Sequence, residues 1–303
     1  MKKGTKVWLI IAGIAFALGI ILMVCGVAVS GFDFRNLRAP ETELTEYVIA
    51  ESFDSIKTDI LDCDILIYPS VDDQCTVKCV DSKNMEHSVF VSDGKLIIEQ
   101  HDTRRWYEHI SLFIEKKYIR IDLPKTQFEE FYLKTVSGDI YISDEFIIKG
   151  LSLNTTSGDL KVGNISADSI QCTTTSGDLK IGNISADSIQ CTTTSGDIEA
   201  KDISCIGDIT LKVTSGDIDL SNTVAKGKLQ IKTVSGDIEL DRCDGAELSL
   251  KTTSGDIEAT LLSGKVFDAD ATTGDVRVSS SQSGAGKCVA RTTSGDIEIR
   301  VLD

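Results

Sequence analysis

Nine near copies of Thr-Thr-Ser-Gly-Asp-Ile lie between Val136 and Ile297, and their spacing limits this chain more than any other feature. The invariant member is glycine, at Gly138, Gly158, Gly177, Gly196, Gly216, Gly236, Gly255, Gly274 and Gly295, in steps of 19 to 21 residues. A fixed period of that length marks a solenoid, where each repeat is one coil that buries its apolar side only against its neighbours.

The offsets from each glycine describe the coil. Two places on stand Ile140, Leu160, Leu179, Ile198, Ile218, Ile238, Ile257, Val276 and Ile297, an aliphatic column that should face a core. Four places on, the residues are again mainly aliphatic, as the two-residue period of a strand requires. Before the corner the inward positions fall at odd offsets, as in Leu151 with Leu153 and Leu248 with Leu250. The alternation slips by one residue across Ser-Gly-Asp, which is what a bend needs. Glycine can adopt the positive φ of such a turn, while serine and aspartate can bond nearby backbone amides. Ile165 with Ala167 and Ile184 with Ala186 indicate a third, shorter wall. The expected fold is all-β: a single-stranded parallel β-solenoid of about nine coils over residues 136–303, right-handed by the usual crossover rule. Gly163 to Asp178 recurs unchanged as Gly182 to Asp197, which reads as the duplication of one coil.

Residues 51–135 read as an irregular β cap with the first coils, including a hairpin turn at Ser92-Asp93-Gly94-Lys95. All three prolines, Pro40, Pro69 and Pro124, precede the repeats, so the strand ladders beyond are uninterrupted. At the other end, Ile297 to Val301 reads as the last strand, with an exposed edge where a partner or second copy could dock.

Val7 to Val29 carries no charge and follows Lys2, Lys3 and Lys6, a length and flank that fit a transmembrane signal anchor. The expected organisation is a cytoplasmic tail over 1–6, an anchor over 7–29, a linker over 30–50 and an extracellular remainder at the cell membrane. Cleavage after Ala28-Val29-Ser30 and lipidation at Cys25 are the rival readings.

A net charge of -16 and a pI near 4.6 argue against a nucleic-acid partner, since phosphate binding needs clustered Lys and Arg. One segment runs against this balance: Arg104, Arg105, Trp106 and Tyr107, followed by Lys116 and Lys117. It reads either as a contact patch for lipid headgroups or an anionic envelope polymer, or as a loop packed on the cap. The three histidines accompany no HExxH, GxSxG or paired CxxC pattern, so no catalytic residue and no cofactor are expected. The nine cysteines read mainly as buried apolar fillers, with a Cys172–Cys191 bridge as the alternative. An aspartate follows every glycine, and a cation bridging such a column, for instance at Asp178, Asp197, Asp217 and Asp237, competes with a turn-capping role.

The repeated Thr-Thr-Ser-Gly-Asp-Ile corners, the irregular start containing Leu96-Ile97-Ile98 and Ile121-Asp122-Leu123-Pro124, and the apolar amino terminus together resemble the bacterial adhesin-like Toastrack domain of unknown function, over roughly residues 50–303. The resemblance implies an envelope-associated β-solenoid of the kind found largely in Gram-positive bacteria, and it carries over no catalytic residues. The function expected is a non-enzymatic, membrane-tethered binding or sensing module. Its partners would be the membrane, through the helix, and a cell-envelope polymer or envelope protein. Three alternatives compete: a polysaccharide-active β-helix enzyme, a divalent-cation-binding surface repeat, and an ice-binding face suggested by Thr173-Thr174-Thr175 and Thr192-Thr193-Thr194.

Overall fold

The computed structural model describes residues 12–13, 16–21, 42–104, 117–143, 145–280 and 286–302. Two compact units are present, residues 1–41 with 104–115 and residues 42–103 with 116–303. In the first, the described residues are short helical pieces at 12–13 and 16–21, together with Arg104. Among the described residues no helix is long and apolar enough to cross a membrane; most of the expected anchor over 7–29 lies outside them.

The second unit is a parallel β-solenoid of about eight turns, with its described strands in one continuous sheet. It begins with β1 (Thr42–Ile49), β2 (Ser55–Asp59), β3 (Asp64–Pro69), β4 (Cys75–Ser82), β5 (Met85–Ser92), β6 (Lys95–Asp102), β7 (Tyr118–Leu123) and β8 (Gln127–Lys134). The hairpin expected at Asp93-Gly94 joins β5 to β6, with both turn residues at positive φ, 51° and 73°. β2 and β3 make the first coil. They lie parallel between β6 and β7 on one side and the coil begun by β8 on the other. β4 closes that end by running antiparallel to both β7 and β1. β1 occupies the stretch read as a linker. Its outward Leu44 and Val48 are exposed, so no clear apolar alternation announces it. Phe128 packs on Phe131 and Phe146, with ring centroids 4.9 and 6.5 Å apart, and fills the wide first coils.

The repeats supply β9 (Ile140–Ile142), β10 (Phe146–Asn154), β11 (Leu160–Val162), β12 (Ile165–Thr173), β13 (Leu179–Ser195), β14 (Ile198–Cys205), β15 (Ile209–Ser215), β16 (Ile218–Lys232), β17 (Ile238–Lys251) and β18 (Ile257–Leu261), followed by β19 (Val266–Thr273), β20 (Val276–Val278), β21 (Lys287–Ser294) and β22 (Ile297–Val301). Identical register carries each inward column from coil to coil, as in Leu160↔Leu179↔Ile198↔Ile218↔Ile238↔Ile257. The third wall is present, with Ile165, Ala167, Ile184 and Ala186 buried. A second corner separates it from the first wall. There Asn183, Asp202, Asn222 and Arg242, six places after their glycines, adopt left-handed φ of 49–54°. Asn and Asp tolerate that conformation because their short polar side chains bond locally.

The carboxyl end departs from chain order. β17 and β18 pair with β21 and β22, which in turn pair with β19 and β20. The last coil is therefore inserted between the Gly255 coil and the Gly274 coil, and Ile297–Val301 is interior where an exposed edge was expected. The true terminal rung is β19–β20. There Val276 and Val278, counted with the inward columns, are 41% and 38% exposed because no described strand lies over them. Burial explains the choice. The last coil offers Cys288, Ala290, Ile297 and Ile299, all buried, whereas the Gly274 coil offers only partly buried Phe267, Ala269 and Ala271.

Candidate functional site

The aspartate, the buried threonine and the glycine of the corner are each engaged inside the stack. Asp139 donates its backbone N–H to Asp64 Oδ1, and the pattern continues through Asp159, Asp178, Asp197, Asp217, Asp237, Asp256, Asp296 and Asp275, at 2.7–2.9 Å. Each carboxylate accepts the amide of the aspartate in the next coil, so the capping role holds between coils and not within one turn. Asp275 ends the ladder, and Arg277 pairs with its other oxygen at 3.1 Å. Among the described residues no group of three or more His, Cys, Asp or Glu side chains is placed to hold a metal, including around Asp178, Asp197, Asp217 and Asp237.

Three residues before each glycine lies a buried threonine whose hydroxyl donates to the glycine carbonyl of the preceding coil. Thr155, Thr174, Thr193, Thr233, Thr252 and Thr292 do so at 3.0–3.3 Å, and Thr135 donates to Cys63 O at 3.2 Å. Val213 and Ala271 replace it in two coils. The glycine itself is held tightly. A Cβ built on Gly177 would lie 2.0 Å from Gly158 O, at a φ of 152° open to glycine alone.

What varies lies on the outward columns beside the corner. Before it, register aligns Asn154, Thr173, Thr192, Lys212, Lys232, Lys251 and Arg291. Lys212, Lys232 and Lys251 are exposed, and none forms an ion pair with a described residue. At one strand spacing of about 4.8 Å per coil, these three ammonium groups make a cationic ladder roughly 10 Å long; Arg291, next in the column, is paired with Asp268. After the corner, the column runs Tyr141, Lys161, Lys180, Glu199, Asp219, Glu239, Glu258 and Glu298. Lys180 pairs with Glu199 at 2.9 Å where the sign changes. Burial, followed by the charges of Glu239, Asp217, Asp197 and Glu199, raises the Asp219 carboxyl above its ordinary value. The two ladders flank one corner with opposite sign.

Of the basic and aromatic patch, Arg105, Trp106, Tyr107 and Lys116 lie outside the described residues, while Arg104 is partly buried and Lys117 Nζ pairs with Asp62 Oδ2 at 2.9 Å. Eight cysteines, Cys172 and Cys191 among them, are buried and carry thiols without a disulfide. The asparagine-rich second corner was missed, although Asn164, Asn183, Asp202 and Asn222 recur at one offset.

The family model for the Toastrack domain, DUF4097, matches residues 53–261 and 244–303. The chain belongs to the Toastrack DUF4097 family. This family is one of unknown function, and the structure shows its β-solenoid here. A crystal structure named a "putative lipid binding protein", from Parabacteroides distasonis, covers 87% of this chain and 97% of its own at 17% identity, with a TM-score of 0.54. A "putative adhesin" from Bacteroides fragilis covers 86% and 98% at 14% identity, with a TM-score of 0.47. At these identities the first likeness speaks to the fold alone. No match was found among curated proteins.

Proposed function

We propose that this Toastrack chain is a non-enzymatic binding module, tethered to the cell membrane by residues 7–29 with its amino terminus cytoplasmic and its solenoid outside. Its ligand is an anionic polymer of the cell envelope, held along the cationic ladder. The observation that carries this reading is the contrast between Lys212, Lys232 and Lys251, exposed without ion pairs to a described residue, and a corner whose aspartates and buried threonines are bonded from coil to coil. Stacked like charges repel, so a ladder of this kind is stabilised by whatever anion lies along it. The apolar run Val7–Val29 supports the tether by its length.

Co-sedimentation of a fragment spanning residues 42–303 with isolated cell envelopes tests the ligand. Wild type should pellet at low salt and be released as ionic strength rises, and Lys212→Glu/Lys232→Glu/Lys251→Glu should stay in the supernatant. Equal sedimentation of the two forms, or none by either, would refute it. Protease treatment of intact cells tests the topology: the solenoid should be shed, and its protection would overturn the external placement.

A further inference from the structure

The cap brings together four polar residues that the binding role does not use. Cys63 stands just before β3, Asp81 is on β4, His87 on β5 and Gln100 on β6. His87 Nε2 lies 3.8 Å from Cys63 Sγ, and His87 Nδ1 lies 2.6 Å from Asp81 Oδ1. The same carboxylate oxygen accepts the His87 backbone N–H at 3.1 Å, which fixes the pair. Gln100 is held at both ends. Its Oε1 accepts the amides of Leu61 and Asp62 at 2.6 and 3.2 Å, and its Nε2 donates to Asp62 Oδ1 at 2.8 Å and to Cys63 Sγ at 3.5 Å. The sulfur therefore has a base on one side and an amide donor on another, with a carboxylate orienting the base. This is the arrangement that lets a thiol give up its proton and stabilises the thiolate left behind.

None of the other described cysteines has a histidine beside its sulfur, although Cys79 neighbours Asp81 and Cys63. Burial pushes the thiols of Cys75, Cys79 and Cys288 up to about 12 and that of Cys243 to about 11. Cys205 and Cys243 donate to backbone carbonyls, and Cys172 faces Cys191. Among the described residues Cys63 is the one cysteine in contact with a histidine. Its 1% exposure excludes a polymer or peptide as reaction partner and leaves a molecule of a few heavy atoms.

We propose that Cys63, His87, Asp81 and Gln100 form a reactive-thiol site whose substrate is a small hydroperoxide. His87 Nε2 takes the Cys63 proton, and the thiolate attacks the terminal oxygen of ROOH. The S–O bond forms as the O–O bond breaks; the departing alkoxide takes the proton from the imidazolium and leaves as ROH. Sulfur is oxidised by two electrons to Cys63–SOH, and the peroxide is reduced by the same two. Gln100 Nε2 faces the sulfur throughout and stabilises its anionic form.

The test exposes the full-length protein to substoichiometric hydrogen peroxide for timed intervals, removes the peroxide with catalase, unfolds the protein in denaturant containing a dimedone probe so that every sulfenic acid is trapped, and quantifies each cysteine by peptide mass spectrometry. Cys63 should be trapped at least on the order of tenfold faster than Cys75, Cys243 or Cys288, because a lone thiol is only a few per cent thiolate at neutral pH. Because His87 takes its proton, its rate should climb less steeply between about pH 6 and 8 than that of an unassisted thiol, which gains about tenfold per pH unit there. His87→Gln should erase the advantage with an unchanged melting profile; Asp81→Asn, which keeps the shape of the pair, serves the same purpose should the first variant misfold. Trapping of Cys63 no faster than Cys288, a rate that climbs with pH as for a lone thiol, or undiminished trapping in a folded His87→Gln or Asp81→Asn variant would overturn the proposal.

Discussion

Val213→Thr is the sharpest test of how the corner is built. Six sibling coils place a threonine hydroxyl 3.0–3.3 Å from the glycine carbonyl of the preceding coil, whereas Val213, 4% exposed, leaves Gly196 O without that donor. Exchanging a methyl for a hydroxyl loses about 0.8 kcal/mol of apolar burial. The hydrogen bond gained contributes roughly 0.5–1.5 kcal/mol in return. The net change should lie within about 1 kcal/mol of zero, on either side. Val162→Thr is the control. Val162 is 2% exposed and stacked between Ile142 and Ile181, so its new hydroxyl meets an aliphatic column. It loses the same burial and adds an unsatisfied hydroxyl, costing roughly 2–4 kcal/mol together. In thermal melts of residues 42–303 followed by circular dichroism, the control should lower Tm by roughly 4–15 °C and Val213→Thr should shift it by less than about 4 °C. Equal losses in the two variants would mean that the threonine column is an accident of composition and not a bonded element of the corner.

Gly236→Ala would place a Cβ 2.0 Å from Gly216 O at a φ of 144°. Overpacking and backbone strain together should cost roughly 2–6 kcal/mol in urea denaturation, and a change under about 1 kcal/mol would contradict the close approach. Asp217→Ala strips the acceptor from the Asp237 amide, a 2.8 Å bond, and should cost about 1–3 kcal/mol. Asp217→Asn keeps an oxygen there and should lose less, and wild-type melts should be the same with calcium as with chelator. Asp219 tests the acidic ladder through pH. Folding raises its carboxyl pKa, so its stabilising contribution is fully present below the ordinary value and is lost as the pH rises through the raised one. The stability difference between wild type and Asp219→Asn should therefore fall with rising pH across that window, and a flat difference would show that the ladder is screened.

The coil was legible because its constraint is local and repeated. A glycine that cannot bear a Cβ, and an aliphatic residue two places later, must appear in every coil, so their periodicity survives in the sequence. The threonine hydroxyl was less visible, since a β-branched residue at Thr174 or Thr233 fits a strand whether or not its oxygen is used. Chain order at the carboxyl end was hidden for a different reason. Periodicity says that coils stack but not which neighbour each one takes, and only the poorer apolar set at Phe267, Ala269 and Ala271 hinted that the Gly274 coil would be displaced. The cap cluster had no motif, because Cys63 precedes β3 while Asp81, His87 and Gln100 lie on β4, β5 and β6, and the four meet only through the antiparallel turns of those strands. The ladder of Lys212, Lys232 and Lys251 could be read as outward, yet its lack of ion pairs required the structure.

The inserted carboxyl-terminal coil bears on how such an array can lengthen over generations. A solenoid whose last coil is also its outermost one can be extended by adding residues after it. Here β22 is covered on both faces, by β18 and β20, and the outermost rung comes from earlier in the chain. In the interior, a duplicated unit finds a matching coil above and below. The unchanged recurrence of Gly163–Asp178 as Gly182–Asp197 is placed in that permissive stretch.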